Sequence, residues 1–234
     1  MADYRIISIG AMAAHPLWDE KGEVRPAHAT TTLISVGERR ILVDPSLPPQ
    51  ILVPRLAERS GISPDRITDV FLTNFNPMRR RGIAALDGAR WWIPEAERAA
   101  MDASLRERLE EADEVDDEEV ARIVRVEQAL LERCRDCPDA LAEGVDLFPL
   151  PGVTEGNAGL LLPQRRDTVL ICGDAIPTVE HLSAGRLMSP CADVERARDS
   201  FREAIEIGDI LVLGRDNAVS NPMRGPFGMG PGGE

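Results

Sequence analysis

The sequence predicts an α/β protein in which two mixed β-sheets pack face to face and helices cover both outer surfaces, a four-layer αββα sandwich. Segments rich in β-branched and other apolar residues occur in both halves of the chain, which favours a sheet in each half. A strongly charged stretch between the halves favours helices. Two stacked sheets with helices outside would bury the apolar faces of all these segments.

The strands are predicted where apolar residues alternate with polar ones, or run together, between turn residues. In the first half these segments are residues 5–12, 30–36, 39–44, 67–72 and 88–93. In the second half they are residues 145–150, 158–163, 168–172 and 209–213. The second and third segments predict a hairpin, because only the turn Gly37-Glu38 separates them.

The helices are predicted where apolar residues recur at helical spacing beside charged outer faces. They cover residues 50–60, 95–111, 117–135 and 193–207. Gly61 is suited to end the first helix, because glycine readily adopts the left-handed conformation of a C-terminal cap. We expect one domain over residues 1–220 and a flexible tail over residues 221–234, which are rich in Gly, Pro and Met.

The composition is that of an ordinary globular protein, with 43% hydrophobic and 29% charged residues. A net charge of −13 argues against nucleic acid or an anionic membrane as a general partner, because both would be repelled. No apolar run approaches the ~20 residues that span a bilayer. The first residues lack the pattern of a secretory signal. We therefore expect a cytoplasmic protein with no nucleic-acid and no membrane partner.

The four cysteines are too few for a disulfide framework in a chain of 234 residues. Cys134 and Cys137 form a single C-x-x-C in a charged, helix-like stretch. A zinc site would need a second pair of ligands, and a thioredoxin-like motif should open a helix after a strand. We expect both thiols to be on a helix surface or half-buried, and Cys172 and Cys191 to be small buried residues.

The candidate functional region is a set of four polar strand ends, at Thr73, Pro151, Gly173 and Gly214. The first opens a loop, residues 72–82, that follows a buried strand and carries three consecutive arginines. Loops at the carboxyl ends of buried strands are where α/β proteins usually place binding and catalytic groups. We expect the four strand ends to converge along one edge of the sandwich.

These strand ends are similar to those of the metallo-β-lactamase superfamily, whose domain is an αββα sandwich. In that family a strand ending in Thr continues as H-x-H-x-D-H, two later turns contain P-G-H-T and G-D-(S/T/A), and a last strand ends in a His after Gly. Here the matching segments occur in the same order: Thr73–Arg79, Pro151–Thr154, Gly173–Ala175 and Gly214-Arg215. The resemblance covers residues 5–217, includes the hairpin that ends at Asp44, and implies the same fold.

The family's metal ligands are absent from six of their seven positions. Only Asp174, the bridging carboxylate in the family, is kept. The replacements are Asn74 and Asn76 for the first two histidines, Met78 for the aspartate, Arg79 for the third histidine, Val153 for the histidine of the P-G-H-T turn and Arg215 for the last histidine. Zinc is bound by imidazole, thiolate or carboxylate groups, which none of these six side chains supplies. We therefore expect no metal and no cofactor, and the family's dinuclear hydrolysis is not expected.

The two arginines replace ligands of the second metal, which Asp174 would also bind in the family. Without its cation, a partly buried carboxylate is unfavourable, and a guanidinium can pair with it through two hydrogen bonds. We predict an ion cluster of Arg79, Asp174 and Arg215. It is either a structural element of a non-hydrolytic pseudoenzyme or, with Asn74 and Asn76, a positively charged pocket for a small anionic ligand.

Two alternatives remain. His28 and His181 could join Asp174 in a two-histidine, one-carboxylate metal site, which would make the protein a hydrolase with a non-standard centre. The acidic helices of residues 95–135 could instead form the surface of a homodimer or of a complex with another protein.

Overall fold

The apolar runs of the first half form a six-stranded mixed sheet in the computed structural model, which describes residues 1–224. The strands are β1 (Asp3–Ser8), β2 (Thr31–Val36), β3 (Arg39–Val43), β4 (Asp69–Phe71), β5 (Arg90–Ile93) and β6 (Arg135–Asp136). They lie in chain order across the sheet. The first three strands are antiparallel, and β3 to β6 run parallel to one another.

The second half forms another six-stranded sheet, again with its strands in chain order. They are β7 (Ala140–Ala142), β8 (Val145–Pro149), β9 (Ala158–Pro163), β10 (Thr168–Ile171), β11 (Ile210–Val212) and β12 (Ala218–Ser220). Neighbours are antiparallel except for the parallel pair β10 and β11. Two helices, a short one followed by a longer one, lie between β10 and β11, because two parallel strands must be joined by a crossover connection.

Five helices cover the outer faces of the two sheets. They are α1 (Pro49–Ser60), α2 (Glu95–Glu114), α3 (Glu118–Arg133), α4 (Val179–Ala184) and α5 (Val194–Ile207). The first three pack on the first sheet and the last two on the second. Successive residues of a strand alternate between layers: Leu42 faces the helices, whereas Ile41 and Val43 face the other sheet. The predicted four-layer αββα sandwich is confirmed.

Where the structure differs from the prediction, the segments are short or lie at element ends. β1 ends at Ser8, whereas the alternating pattern predicted a strand to residue 12. β6, β7, β12 and α4 were not predicted, because two to six residues are too few to show a period. The predicted helix over residues 117–135 ends at Arg133, since Cys134 is extended and the chain joins the sheet as β6.

The C-x-x-C motif straddles the first sheet. Cys134 packs between that sheet and its helices, whereas Cys137 packs between the two sheets. Both thiols are buried, and burial raises the pKa of Cys134 to about 11 and that of Cys137 to about 12. The prediction that both thiols are on a helix surface or half-buried is therefore wrong. Two thiols on opposite faces of one sheet form neither a redox pair nor a metal site.

The described chain is held in place as far as Arg224. The buried side chain of Asn221 donates hydrogen bonds to the carbonyls of Ile205 and Gly208, at 2.6 and 2.7 Å. Arg224 donates one to the Ile207 carbonyl at 2.6 Å. Of the tail predicted to be flexible, residues 221–224 are therefore anchored to α5, and residues 225–234 lie outside the described residues.

Two of the sequence-based expectations concern surfaces. In residues 1–224, no helix is long and apolar enough to cross a membrane. The acidic helices α2 and α3 form an antiparallel pair, and α3 exposes Ile123 and Val126 to solvent. Self-association through these helices stays a prediction, which light scattering would test.

The parallel pairs bring four strand ends to one edge of the sandwich. Asp44 follows β3, Asn74 follows β4, Asp174 follows β10 and Arg215 follows β11. The two turns from the second sheet approach each other closely at Gly214. A Cβ atom there would lie 2.0 Å from the Gly173 carbonyl oxygen and 3.2 Å from Arg79 Nη2.

We expect Gly214→Ala to lower the free energy of unfolding by about 1–3 kcal/mol, because the added methyl group must push two backbone turns apart. Gly88→Ala is the matched control, since a Cβ at Gly88 meets nothing within 4 Å. Its cost should stay within about 0.5 kcal/mol. Urea unfolding measures both, and equal costs would contradict the close approach.

Candidate functional site

The centre of the converging strand ends is the Arg79 guanidinium, which lies between two carboxylates and is fully buried. Its Nη1 pairs with Asp44 Oδ2 at short range, and its Nη2 lies 2.6 Å from Asp174 Oδ1. Its Nε donates to Asp174 Oδ2 at 3.2 Å. One planar cation therefore joins the first sheet, through Asp44, to the second, through Asp174.

Arg215 completes the group from the other side of Asp174. Its Nε lies 3.0 Å from Asp174 Oδ1, and its Nη2 lies 3.4 Å from Oδ2. Its Nη1 points at the Met78 sulfur, 3.1 Å away. The predicted contacts between Asp174 and both arginines are present. We call Asp44, Arg79, Asp174 and Arg215 the ion network.

The remaining lone pairs of both carboxylates also have donors. The Thr73 amide donates to Asp44 Oδ1 and its hydroxyl to Asp44 Oδ2, both at 2.9 Å. The Asn74 side-chain amide donates to Asp174 Oδ2 at 3.1 Å and to Asn157 Oδ1 at 3.0 Å. Each carboxylate is thus solvated by the protein, as a buried charge requires.

The electrostatics of the network follow from these contacts. Burial acts to raise the pKa of Asp174, but Arg79 and then Arg215 outweigh it and hold that pKa far below its usual range. Burial raises the pKa of Asp44 against the effect of Arg79 and Thr73. Because every group facing Asp44 is a donor, the contacts fit its ionised form. Burial opposes the charge of Arg79, and the two carboxylates outweigh it and raise the pKa of Arg79.

Asp44 is the functional residue that sequence reasoning missed, and it changes the charge of the site. Two arginines against one aspartate predicted a net positive pocket, which is wrong: two arginines face two aspartates, and the network is neutral. Asp44 belongs to none of the family's metal-binding turns. The available signal was its position, since an Asp directly after a buried strand that runs parallel to β4 must lie at the same sheet edge.

The predicted site residues are only partly brought together. Asn74, Arg79, Asp174 and Arg215 are buried in or against the network. Asn76 is exposed, and its side chain accepts from the Met78 amide at the start of a short 3₁₀ turn, Pro77–Arg80. Val153 is half-buried and contributes no hydrogen bond to the network; its carbonyl accepts from the Ala192 amide. Arg79 and Asp174, at the centre of the predicted cluster, are buried and packed against each other, which favours the structural alternative over an open pocket.

The alternative metal site does not form. His28 Nε2 lies 2.8 Å from the Ile9 carbonyl, and His181 Nδ1 lies 2.8 Å from the Thr178 hydroxyl. Over residues 1–224, no group of three or more His, Cys, Asp or Glu side chains is arranged to hold a metal ion. The proposed site of Asp174, His28 and His181 is therefore corrected to two hydrogen-bonded histidines, His28 on a loop and His181 in α4.

Another buried acid, Glu97 at the start of α2, connects the loops around the network. It accepts from the Phe75 amide at 2.9 Å, the Thr154 hydroxyl at 2.6 Å and the Gly156 amide at 3.2 Å. It thereby joins the loop after β4 to the turn after β8. No sequence pattern indicates this role, because Glu97 lies within a helix whose other acids are mostly exposed.

The donor set does not fit a dinuclear zinc centre. A guanidinium fills the space between Asp44 and Asp174, and a cation in that position repels a metal ion. The Asn74 amide directs an N–H group at Asp174, where a ligand would have to direct a lone pair at the metal. In both cases the carboxylate is already paired with a donor group of the protein itself.

Comparison with known proteins supports the fold alone. No protein-family model matches the chain, and no curated protein gives a significant sequence match. A metallo-β-lactamase candidate from Thermotoga maritima superposes with a TM-score of 0.66 at 19% identity, covering 94% of this chain and 99% of that one. The dizinc quorum-quenching lactonase AidC, in complex with a homoserine product, gives 0.63 at 16% identity over 88% and 86%.

A third solved structure, the hydrolase AbOPH of the β-lactamase superfamily, gives a TM-score of 0.60 at 13% identity over 91% of this chain and 83% of that one. The three neighbours share the αββα arrangement, and each is matched along most of its length. At these identities the likeness establishes architecture and leaves the chemistry of the strand ends to the residues themselves. The chain has the metallo-β-lactamase fold.

Proposed function

We propose that this chain is a non-hydrolytic protein of the metallo-β-lactamase fold, in which the ion network replaces a metal centre as a structural element. The observation that supports this most directly is the fully buried Arg79 guanidinium shared by Asp44 and Asp174. A metal centre would supply positive charge to these carboxylates. Arg79 and Arg215 supply the same charge through ion pairs with the two carboxylates.

The chemistry of the residues supports the same conclusion. Hydrolysis needs a group that activates water and a group that polarises the bond to be cut. Arg79 and Asp174, the charged groups at the centre, are committed to each other and buried. Met78, which replaces the family's aspartate, has neither a carboxylate to accept a proton nor a charge to orient water.

Metal content and activity together test this proposal. We expect untagged protein produced in zinc-supplemented medium to contain substoichiometric zinc, iron and manganese after dialysis. We also expect it to leave N-acyl homoserine lactones unhydrolysed, since its donor set fits no dinuclear centre. AidC, a dizinc lactonase, is the positive control. Stoichiometric metal together with hydrolysis that a chelator abolishes would overturn the proposal.

A small anion at the edge of the network is a second candidate, favoured by one specific contact. Arg215 Nη1 donates only to the Met78 sulfur, and a thioether is a weak acceptor. Asn76 lies exposed beside Met78 on the same loop. An anionic oxygen that displaced the half-buried Met78 side chain would gain a charge-assisted hydrogen bond without disturbing Asp174.

We expect millimolar phosphate or small carboxylates to raise the melting temperature of the wild-type protein if this second candidate is correct. Asn76→Asp should weaken the effect, because it adds a negative charge at an exposed position that the fold tolerates. Glu38→Gln, at an exposed turn far from the strand ends, is the control and should respond as the wild type does. An unchanged melting temperature in every anion would eliminate an anion ligand at Arg215.

The structural role of Arg79 makes a separate prediction. Arg79→Met should lower the free energy of unfolding at pH 7 by about 3–5 kcal/mol, because it leaves two buried carboxylates without their shared cation. Arg196→Met is the control, since Arg196 forms an exposed pair with Glu155 that should contribute no more than about 1 kcal/mol.

The pH dependence of the same variant has a definite sign. Without Arg79, the folded-state pKa of each buried carboxyl rises above its unfolded value, so its destabilising effect is present at neutral pH and is relieved as pH falls. The stability difference between wild type and Arg79→Met should therefore shrink between pH 7 and pH 5. A constant difference across this range would show that the carboxylates are not the source of the loss.

A further inference from the structure

A long loop, residues 9–30, is tied to the two segments that carry Arg79 and Arg215 and to the start of α4; we call it the crossing loop. Arg81 Nη1, on the loop after β4, donates to the Ala27 carbonyl at 2.7 Å. Gly10 packs so closely on the turn after β11 that a Cβ there would lie 2.7 Å from Arg215 Cα. The Thr30 hydroxyl donates to the Asp216 carbonyl at 2.6 Å.

The crossing loop is attached to α4 by His15, which is buried although it lies inside the loop. Its Nε2 lies 3.0 Å from the Thr178 hydroxyl and 3.2 Å from Glu180 Oε2 at the start of α4. Its ring stacks on Trp18, with 4.2 Å between ring centroids and 16° between the planes. We call His15, Thr178, Glu180 and His181 the histidine cluster.

The contacts within the histidine cluster assign the protons. The Leu17 amide donates to His15 Nδ1 at 3.3 Å, which places the proton of a neutral His15 ring on Nε2. That N–H group donates to the Thr178 hydroxyl, which in turn donates to His181 Nδ1 at 2.8 Å. The cluster therefore needs an unprotonated Nδ1 on His181.

The charges around His181 come from three segments. His15, on the crossing loop, has its ring centroid 5.3 Å from that of His181. Arg215, on the turn after β11, also disfavours a charged His181, whereas Glu180 on the same helix favours it. Asp216 is engaged with the Val179 amide at 3.1 Å. Burial first, then His15, lower the pKa of His181 from its ordinary value.

Helix capping accounts for only one of the contacts that Thr178 makes. Its hydroxyl accepts from the His181 amide at 3.4 Å, as an N-terminal cap does. It also contacts the imidazoles of His181 and of His15, which lies 163 positions earlier in the chain. Capping alone gives no reason for the second imidazole, whereas attachment of the crossing loop does.

We propose that the crossing loop is a lid beside the ion network and that the histidine cluster is its acid-sensitive latch. A proton on His181 Nδ1 removes the acceptor of the Thr178 hydroxyl and adds a cation next to His15 and Arg215. The hydrogen-bond chain from His15 through Thr178 to His181 is then broken, and the loop is loosened at His15 while Gly10 and Thr30 hold its ends. The latch depends on neutral His181 and is independent of whether the network binds an anion.

The direction of the pH effect follows from linkage. His181 has a lower pKa in the latched form than in the released form, where it approaches the ordinary value near 6.5. The released form therefore binds more protons, and latching is favoured at high pH and lost as pH falls below about 6.5.

Hydrogen exchange measures the release directly. After correction for intrinsic exchange rates, we expect the amides of residues 10–29 to exchange faster at pH 5.0 than at pH 7.5, because protonation of His181 opens the loop more often. Amides of β3 and β4 should show no such change, which separates lid release from acid unfolding. Equal protection at both pH values would overturn the proposal.

Two variants separate the latch from other histidine effects. His181→Gln keeps an acceptor for Thr178 but cannot take up a proton, so its crossing loop should lose the pH response. His28→Gln is the matched control, because His28 lies on the same loop and bonds only to backbone carbonyls; its pH response should match the wild type. An unchanged response in His181→Gln would reject His181 as the sensor.

Two further measurements do not depend on those variants. Lys21 is the chain's single lysine and lies in the crossing loop, so a lysine-specific endoproteinase reports loop opening by cleavage at one site. Thr178→Val should speed this cleavage at pH 7.5, since it removes both hydroxyl contacts. The emission of Trp18, taken as the difference between wild type and Trp18→Phe, should change with the same pH midpoint as the exchange. Different midpoints would show that Trp18 and the loop respond to separate groups.

Discussion

The ion pairs of Arg79 are the interaction on which the candidate site depends. One buried guanidinium holds Asp44 from the first sheet and Asp174 from the second, and no solvent is available to replace it. A planar group with five donors fixes both carboxylates in position and direction. Such a pair adds little net stability compared with apolar packing, but losing one partner is costly. It therefore acts mainly to specify how the strand ends meet.

Replacing a metal by a guanidinium changes what the neighbouring residues must be. A metal needs lone pairs directed at it, so its neighbours are imidazoles and carboxylates. A carboxylate already paired with arginine needs N–H or O–H donors instead. Asn74 meets this need by donating to Asp174, and its own oxygen accepts from the Asn76 amide. The asparagines and arginines are thus parts of one consistent hydrogen-bonding scheme, whereas each alone would be only a missing ligand.

The layers of the fold could be predicted from the sequence because successive side chains of a strand face opposite sides of the sheet, and the sequence shows which sides are apolar. Ile41, Leu42 and Val43 alternate between two apolar layers, and that alternation requires a partner on each face. β6, with two residues, has no period, and its strand character comes from pairing with β5. β6 therefore depends on a tertiary contact, which no local sequence pattern indicates.

In the candidate site, the residues at the family's ligand positions could be predicted from the sequence. The residues outside those positions, which contact them in the folded chain, could not. Arg79, Asp174 and Arg215 occupy recognisable positions, so their pairing followed from charge alone. Asp44 and Glu97 belong to no ligand motif, and their roles depend on which strand ends and loops meet in space. Because Asp44 was missed, the site was predicted to be net positive, whereas the ion network is neutral.

The neutrality of the ion network also limits where any binding could occur. A ligand that entered between Arg79 and the two carboxylates would have to break ion pairs that no solvent can replace. Arg215 presents a donor whose partner is weak, and that donor lies beside Met78. The crossing loop touches the same arginine through Gly10, and its latch includes a histidine whose charge Arg215 opposes. The proposed anion site and the proposed latch therefore both involve Arg215, at the edge of a network whose central groups are buried.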